Sequence, residues 1–281
     1  MKTIVYATDL SELEVPTLRY AYKLTESLKA KLIVLYVYSV PPITVATIRS
    51  PKQISHKLEA EKKDVALHYC TQHLKEEWVK SKVEIQVQEH TSIHEGIFEK
   101  VKESTPDLLI VGMKDNHTQR GLFTGSIAKS LMGKVECPIL IVPNRMRFRK
   151  IKSIVYATDF EETDIFAIQN VVNLAKPFNA KIRIVHIPTA EEYIGKEQSE
   201  LFNEMLAKNV KYPNIHLHTF LSESVYQGLR TFVEQHKADV LVMLQRETDG
   251  TFFTKLFHKD LVKQMESHIS IPLMSIRKDS V

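Results

Sequence analysis

The hexapeptide IVYATD occurs at Ile4–Asp9 and again, letter for letter, at Ile154–Asp159, in a chain of 281 residues. A repeat spaced by about half the chain demands a fold that can be made twice, each copy burying its own apolar faces. The echo continues in order. AKLIVLYV from Ala30 answers AKIRIVHI from Ala180, and SIHEGI from Ser92 answers SVYQGL from Ser224. PDLLIVGM from Pro106 parallels ADVLVMLQ from Ala238, and CPILIVP from Cys137 parallels IPLMSIR from Ile271. The offset is 150 residues at the start, 132 in the middle and 134 at the end, so the copies keep element order and differ in loop length. With 43% hydrophobic residues, each half has enough apolar surface for a core of its own.

Each copy reads as strands alternating with helices. Ile4–Ala7, Leu32–Val37 and Leu108–Val111 are short, branched and apolar throughout, the pattern of parallel strands covered on both faces. Leu18, Ala21, Tyr22, Thr25 and Leu28 recur at helical spacing in the first copy, as do Val225, Gly228, Leu229 and Phe232 in the second. Val83–Gln88 and Ile215–Phe220 alternate, which predicts strands with one wetter face and places His216 and His218 in solvent. His186, at a strand end, reads as a buried, satisfied histidine. Strand, helix, strand order implies right-handed crossovers and an open, doubly wound parallel sheet in each half. The expected fold class is therefore α/β with two tandem Rossmann-like domains, 1–146 and 147–281, divided where proline ends a strand and the basic stretch Asn144–Lys152 begins. That stretch reads as a solvated linker.

Several function classes find no support. The formal net charge is +4, but the charges are interspersed without a run of five or six of one sign, so no nucleic-acid partner is expected. Cys70 and Cys137 are the two cysteines, and neither a CxxC pair nor a His/Cys cluster suggests a disulfide framework or zinc. His90 and His94 are four apart but span a strand end and a helix start, so no metal site is expected there. No apolar run reaches the roughly 18 residues that span a bilayer, and MKTIVYATDL is too short for a signal sequence. A cytoplasmic protein without a membrane partner is the expectation. Walker A, GxGxxG, GxSxG and HExxH motifs are absent, and no general base or arginine finger can be named, so catalysis is not expected beyond slow ATP hydrolysis.

One loop points to a ligand. The fourth apolar run ends at Gly112, a polar segment follows, and Gly125-Ser126 opens a helix carrying Ile127, Leu131 and Val135. Glycine permits close backbone approach, and a helix start offers free N–H groups to phosphate, with Ser126 placed to cap or to bind.

On these residues the chain resembles the universal stress protein family in its tandem form. Nucleotide-binding members carry G-x2-G-x9-G-[ST] after the fourth strand, and here the corresponding positions are Gly112, Asp115, Gly125 and Ser126. The resemblance also covers YATDLS with Asp9, LYV with Val37 and the closing PILIVP strand. It implies an adenine nucleotide alpha-hydrolase-like fold and a regulatory, stress-response protein that holds ATP, ADP or AMP, with or without Mg2+, in the first domain. The residues it implies are Ala7 lining the base, Asp9 against ribose and adenine, Val37 through its backbone at the adenine edge, and Gly112, Asp115, Gly125 and Ser126 around the phosphates. Asp115 departs from the pattern. It either repels phosphate or helps to hold a divalent cation, and the sequence leaves both open.

In the second copy Leu244 stands for Gly112, while Lys259 and Asp260 stand for Gly125 and Ser126, so no phosphate cradle is expected despite Asp159. The alternative for the whole chain is an adaptor of the same fold that binds no nucleotide and acts through an unknown protein partner. In the family the terminal strand pairs across a dimer interface. By resemblance, Pro138–Val142 is expected to pair with Pro272–Ile276 inside one chain, giving a pseudo-twofold monomer that can also form a homodimer.

Overall fold

A computed structural model of the chain describes residues 1–40, 51–75, 82–113, 126–132, 134–188, 196–245 and 271–277. It resolves into two compact units, Met1–Cys137 with Asn144–Phe148, and Pro138–Pro143 with Arg149–Val281.

The first unit places β1 (Thr3–Thr8), β2 (Lys31–Tyr38), β3 (Val83–Glu89) and β4 (Leu108–Met113) in the spatial order β3-β2-β1-β4. All three ladders are parallel, with Ile4 level with Leu32 and Leu108. Helices α1 (Val15–Leu28), α2 (Pro51–Leu74), α3 (Ile93–Ser104) and α4 (Ser126–Met132) fill the connections. The α1 helix starts with Pro16 in its first turn, where a missing N–H costs nothing, and stops at Lys29, which turns left-handed at φ 53°. Leu18, Ala21, Tyr22, Thr25 and Leu28 are all buried, as their spacing predicts.

The second unit repeats this plan with β6 (Ser153–Ala157), α5 (Glu162–Ala175), β7 (Lys181–His186), α6 (Lys196–Asn209), β8 (Ile215–Thr219), α7 (Val225–Gln235), β9 (Val240–Gln245) and β10 (Leu273–Arg277). Its strands run β10-β9-β6-β7-β8, all parallel. Strand β5 (Ile139–Pro143) groups with this unit and lies antiparallel to β10, with Ile141 opposite Leu273 and Ile139 opposite Ser275.

The two copies share their helix–strand contacts. A Cβ on Gly96 of α3 would lie 2.7 Å from Val37, and one on Gly228 of α7 would lie 2.6 Å from Ile187, so each glycine lets its helix sit close against the carboxyl end of the second strand of its unit or the residue just past it. His218 departs from expectation. Its ring packs between Phe232, at 5.3 Å, and His236, at 5.6 Å, and its Nε2 is buried without a hydrogen-bond partner among the described residues. His216 is exposed as the alternating pattern of β8 predicts, whereas the α7 aromatic that covers His218 was not legible in that pattern.

In the second unit a buried carboxylate ties the first strand to the first helix. Asp164 is fully buried and accepts hydrogen bonds from the Tyr156 hydroxyl at 2.7 Å, the Thr158 hydroxyl at 2.7 Å and the Glu161 backbone N–H at 3.2 Å. The last of these forms a capping box at the start of α5. Asp164→Ala should strand two buried hydroxyls and lower the unfolding free energy by about 3 kcal/mol. Urea denaturation checks this; a loss below about 1 kcal/mol would show that water replaces the carboxylate.

Candidate functional site

In a doubly wound sheet the crevice for a ligand opens at the carboxyl ends of the strands where strand order reverses. In the first unit that point lies between β1 and β4. Ala7 is buried and level with both Leu35 and Val111, so it forms the floor of this end. Beyond it, the chain leaves the sheet through a tight turn. The Leu10 backbone N–H donates to the Thr8 hydroxyl at 3.0 Å, the Ser11 N–H donates to the Asp9 carboxylate at 3.0 Å, and Leu10 adopts φ 61°. Asp9 is thereby fixed at the rim of the crevice rather than left on a loose loop. Val37, on the neighbouring strand, is one step past Tyr36, which is level with Thr8. Gly112 is one step past Val111 on β4.

Ala7, Asp9, Val37 and Gly112 thus come together at one end of the sheet. Ser126 opens α4. Asp115 and Gly125 lie outside the described residues, as do Lys259 and Asp260 of the second copy.

The crevice contains a residue that the glycine pattern did not flag. Glu14 ends a short 3-10 turn, Glu12–Glu14, and is 3% exposed. The Tyr6 hydroxyl donates to its carboxylate at 2.9 Å and lies 3.1 Å from its backbone carbonyl. A Cβ added to Gly112 would meet this carboxylate, with Oε2 at 2.5 Å and Cδ at 2.8 Å. A side chain at position 112 would therefore have to displace the Glu14 carboxylate, whether or not a phosphate ever approaches. Burial, reinforced by the Glu14 charge, pushes the Tyr6 phenol well above its ordinary range, and the same two causes raise Tyr69 of α2. Tyr69 donates to the Ser11 carbonyl at 3.1 Å, so both phenols remain hydrogen-bond donors at the edge of the crevice.

The second unit makes the same tie with smaller means. Tyr156 and Asp164 stand where Tyr6 and Glu14 do, at an offset of 150 residues, and Leu244 stands for Gly112. The acid is one methylene shorter, and the strand residue facing that space has gained a buried isobutyl group. The Tyr-x7-acid spacing recurs in both halves and was the available sequence signal for Glu14. At the rim of this unit His186 replaces Tyr36. Its Nδ1 lies 2.9 Å from the Thr158 carbonyl and 3.9 Å from Asp159, while Nε2 has no hydrogen-bond partner among the described residues. So His186 is buried as expected but only half satisfied. Phe160 stacks on it at 4.6 Å and Phe202 of α6 packs on Phe160 at 5.2 Å, roofing that end with aromatic rings.

The description "Universal stress protein family" belongs to the family model that matches residues 1–143, a little over half the chain. The chain belongs to the universal stress protein family. A curated universal stress protein of Methanocaldococcus jannaschii is 25% identical over 146 residues, covering 50% of this chain and 81% of that protein. A universal stress protein of Archaeoglobus fulgidus has the same fold over 98% of this chain and 96% of its own, with a TM-score of 0.68 and 15% identity. A protein described as a putative universal stress protein, from Pseudomonas aeruginosa, matches with a TM-score of 0.63 and 14% identity over 100% of this chain and 95% of its own. At these identities the solved structures establish the universal stress protein fold and leave the ligand to be argued from the residues.

Replacing Gly112 by Ala should destabilise the protein by about 1 kcal/mol, because the methyl group displaces the buried Glu14 carboxylate from its place under Tyr6. Adding Glu14→Asp, the acid that the second copy has at this position, should recover at least half of that loss. A double-mutant cycle in urea measures the coupling; strictly additive losses would mean that Glu14 does not confine position 112.

Proposed function

We propose that this universal stress protein is an adenine-nucleotide-binding regulatory protein of the stress response. The first domain, 1–146, holds ATP, ADP or AMP, and the second, 147–281, is a degenerate copy. What carries the reading is the convergence of Ala7, Asp9, Val37 and Gly112 on one crevice at the strand-order reversal. The base and ribose side fits this class of ligand: a small floor residue, a fixed carboxylate able to accept from ribose hydroxyls, and the end of β2 beside them. Gly125 and Ser126 would hold the phosphates, and Mg2+ would offset charge at Asp115 if it is present. We read the protein as cytoplasmic and as non-catalytic or at most a slow ATPase. We read the chain as a monomer able to associate further, which light scattering at one chain per particle would support and a strict dimer held by exchanged halves would overturn.

A second reading has its own support. The Glu14 carboxylate lies against Gly112, and in the sequence Asp115 stands where the family motif calls for a glycine. Like charge opposes a polyphosphate. That arrangement favours a protein of the same fold that binds no nucleotide and acts through a protein partner.

Denaturing protein purified without added nucleotide separates the two. Near one adenine nucleotide released per chain supports the first reading; none released, together with no calorimetric response to ATP or AMP, supports the second. Under the first reading Gly125→Asp abolishes binding and Lys259→Gly leaves it unchanged. Glu14→Gln, which removes the charge and keeps the shape, should tighten ATP binding by about threefold or more. Equal loss in the Gly125 and Lys259 variants would remove the site from the first domain.

A further inference from the structure

At the opposite end of the second unit, below the amino ends of β6 and β7, lies a cavity of about 740 Å3. Six cationic side chains line it: Arg149, Lys150, Lys152, Lys181, Arg183 and Lys237. Asp239 is its one lining carboxylate, and that group already accepts from the backbone N–H groups of Lys152, at 2.6 Å, and Ser153, at 3.0 Å. Among the described residues none of the six cations has an ion-pair partner. Arg183 is held in place by donating from Nη1 to the Ser153 hydroxyl at 2.9 Å. Burial and the nearby Arg183 guanidinium together hold the His236 imidazole, also on the wall, below its ordinary range, as a positive field there requires. Phe178 supplies a buried apolar face.

The first copy shows that this charge is no by-product of the fold. Its corresponding end is built on the same frame: Asp107 accepts from the N–H groups of Lys2 and Thr3, as Asp239 does from Lys152 and Ser153. Thr105 takes the left-handed turn that Lys237 takes, at φ 41° against 46°. On that common frame Ile33 stands where the second copy has Arg183, Thr105 where it has Lys237, and Ser104 where it has His236. Opposite Ile33 on β3 is Glu84, which pairs with Lys31; opposite Arg183 on β8 is His216. The second copy has thus added cations and lost the acid that neutralised one. The basic stretch Asn144–Lys152, which reads from sequence as a solvated linker, delivers three of the six.

We propose that this cavity binds a small molecule carrying two or more phosphate groups. Its volume falls in the range of small-ligand sites, of order 300–1,000 Å3. Two arginines and four lysines converging on a concavity match a clustered anion better than a single carboxylate or monophosphate. A nucleic-acid backbone would call for an open stripe, whereas these cations ring one cavity.

The test uses the full-length chain and calorimetry at low and moderate salt, with inorganic tripolyphosphate, pyrophosphate, orthophosphate and a single-stranded oligonucleotide as probes. Tripolyphosphate should bind at least tenfold more tightly than orthophosphate. The combined variant Arg149→Gln, Lys181→Gln and Lys237→Asn changes only exposed residues, and asparagine tolerates the left-handed turn, so circular dichroism should be unaltered while tripolyphosphate binding weakens at least tenfold. Gly125→Asp, in the first domain, should leave this binding intact, which separates its fate from that of the nucleotide reading. No preference for tripolyphosphate over orthophosphate, unchanged binding in the triple variant, loss in Gly125→Asp alone, or tighter binding of the oligonucleotide would each overturn the proposal.

Discussion

A buried acid joined to a buried tyrosine holds in shape the turn by which the first strand of each unit leaves the sheet. In each unit the first strand must leave the sheet, turn sharply and deliver a helix back onto it. Glu14 under Tyr6, and Asp164 under Tyr156, fasten that departure at a point where water has been expelled. A carboxylate in such a place is tolerated only when donors converge on it, and it costs several kcal/mol when they are taken away. The turn it fixes is the one that sets Asp9, or Asp159, on the rim. What looks like a local cap is therefore the hinge between fold and site.

The same interaction changes the meaning of a glycine. Gly112 fits a family pattern associated with phosphates, yet the atoms that would collide with its Cβ belong to Glu14. The motif residue and the buried acid form one packing unit, and the second copy has exchanged both members, Gly for Leu and Glu for Asp.

At the other end of the sheet the frame is again shared and the lining is not. Asp107 and Asp239 dock the start of the first strand in the same way, while the side chains around them run from an ion-paired, partly apolar surface in the first copy to an unneutralised basic cavity in the second. A duplicated α/β unit has two ends available for ligands, and backbone hydrogen bonding preserves both ends while their chemistry changes.

The repeat IVYATD, the branched apolar runs and the helical spacing of Leu18, Ala21, Tyr22, Thr25 and Leu28 determined the fold class and the order of elements. Those signals are local: strand and helix periodicities are written in neighbouring residues. Ala7, Asp9, Val37 and Gly112 were named together by resemblance to the family, and the parallel register brings them to a common strand end. Tertiary structure alone decided that Glu14 fills the space beside Gly112, that Phe232 covers His218, and that Arg149 and Lys150 share a cavity with Arg183 and Lys237. These contacts join residues up to about a hundred positions apart across a crossover, and their outcome depends on side-chain volume and charge meeting in a closed space, which no periodicity encodes.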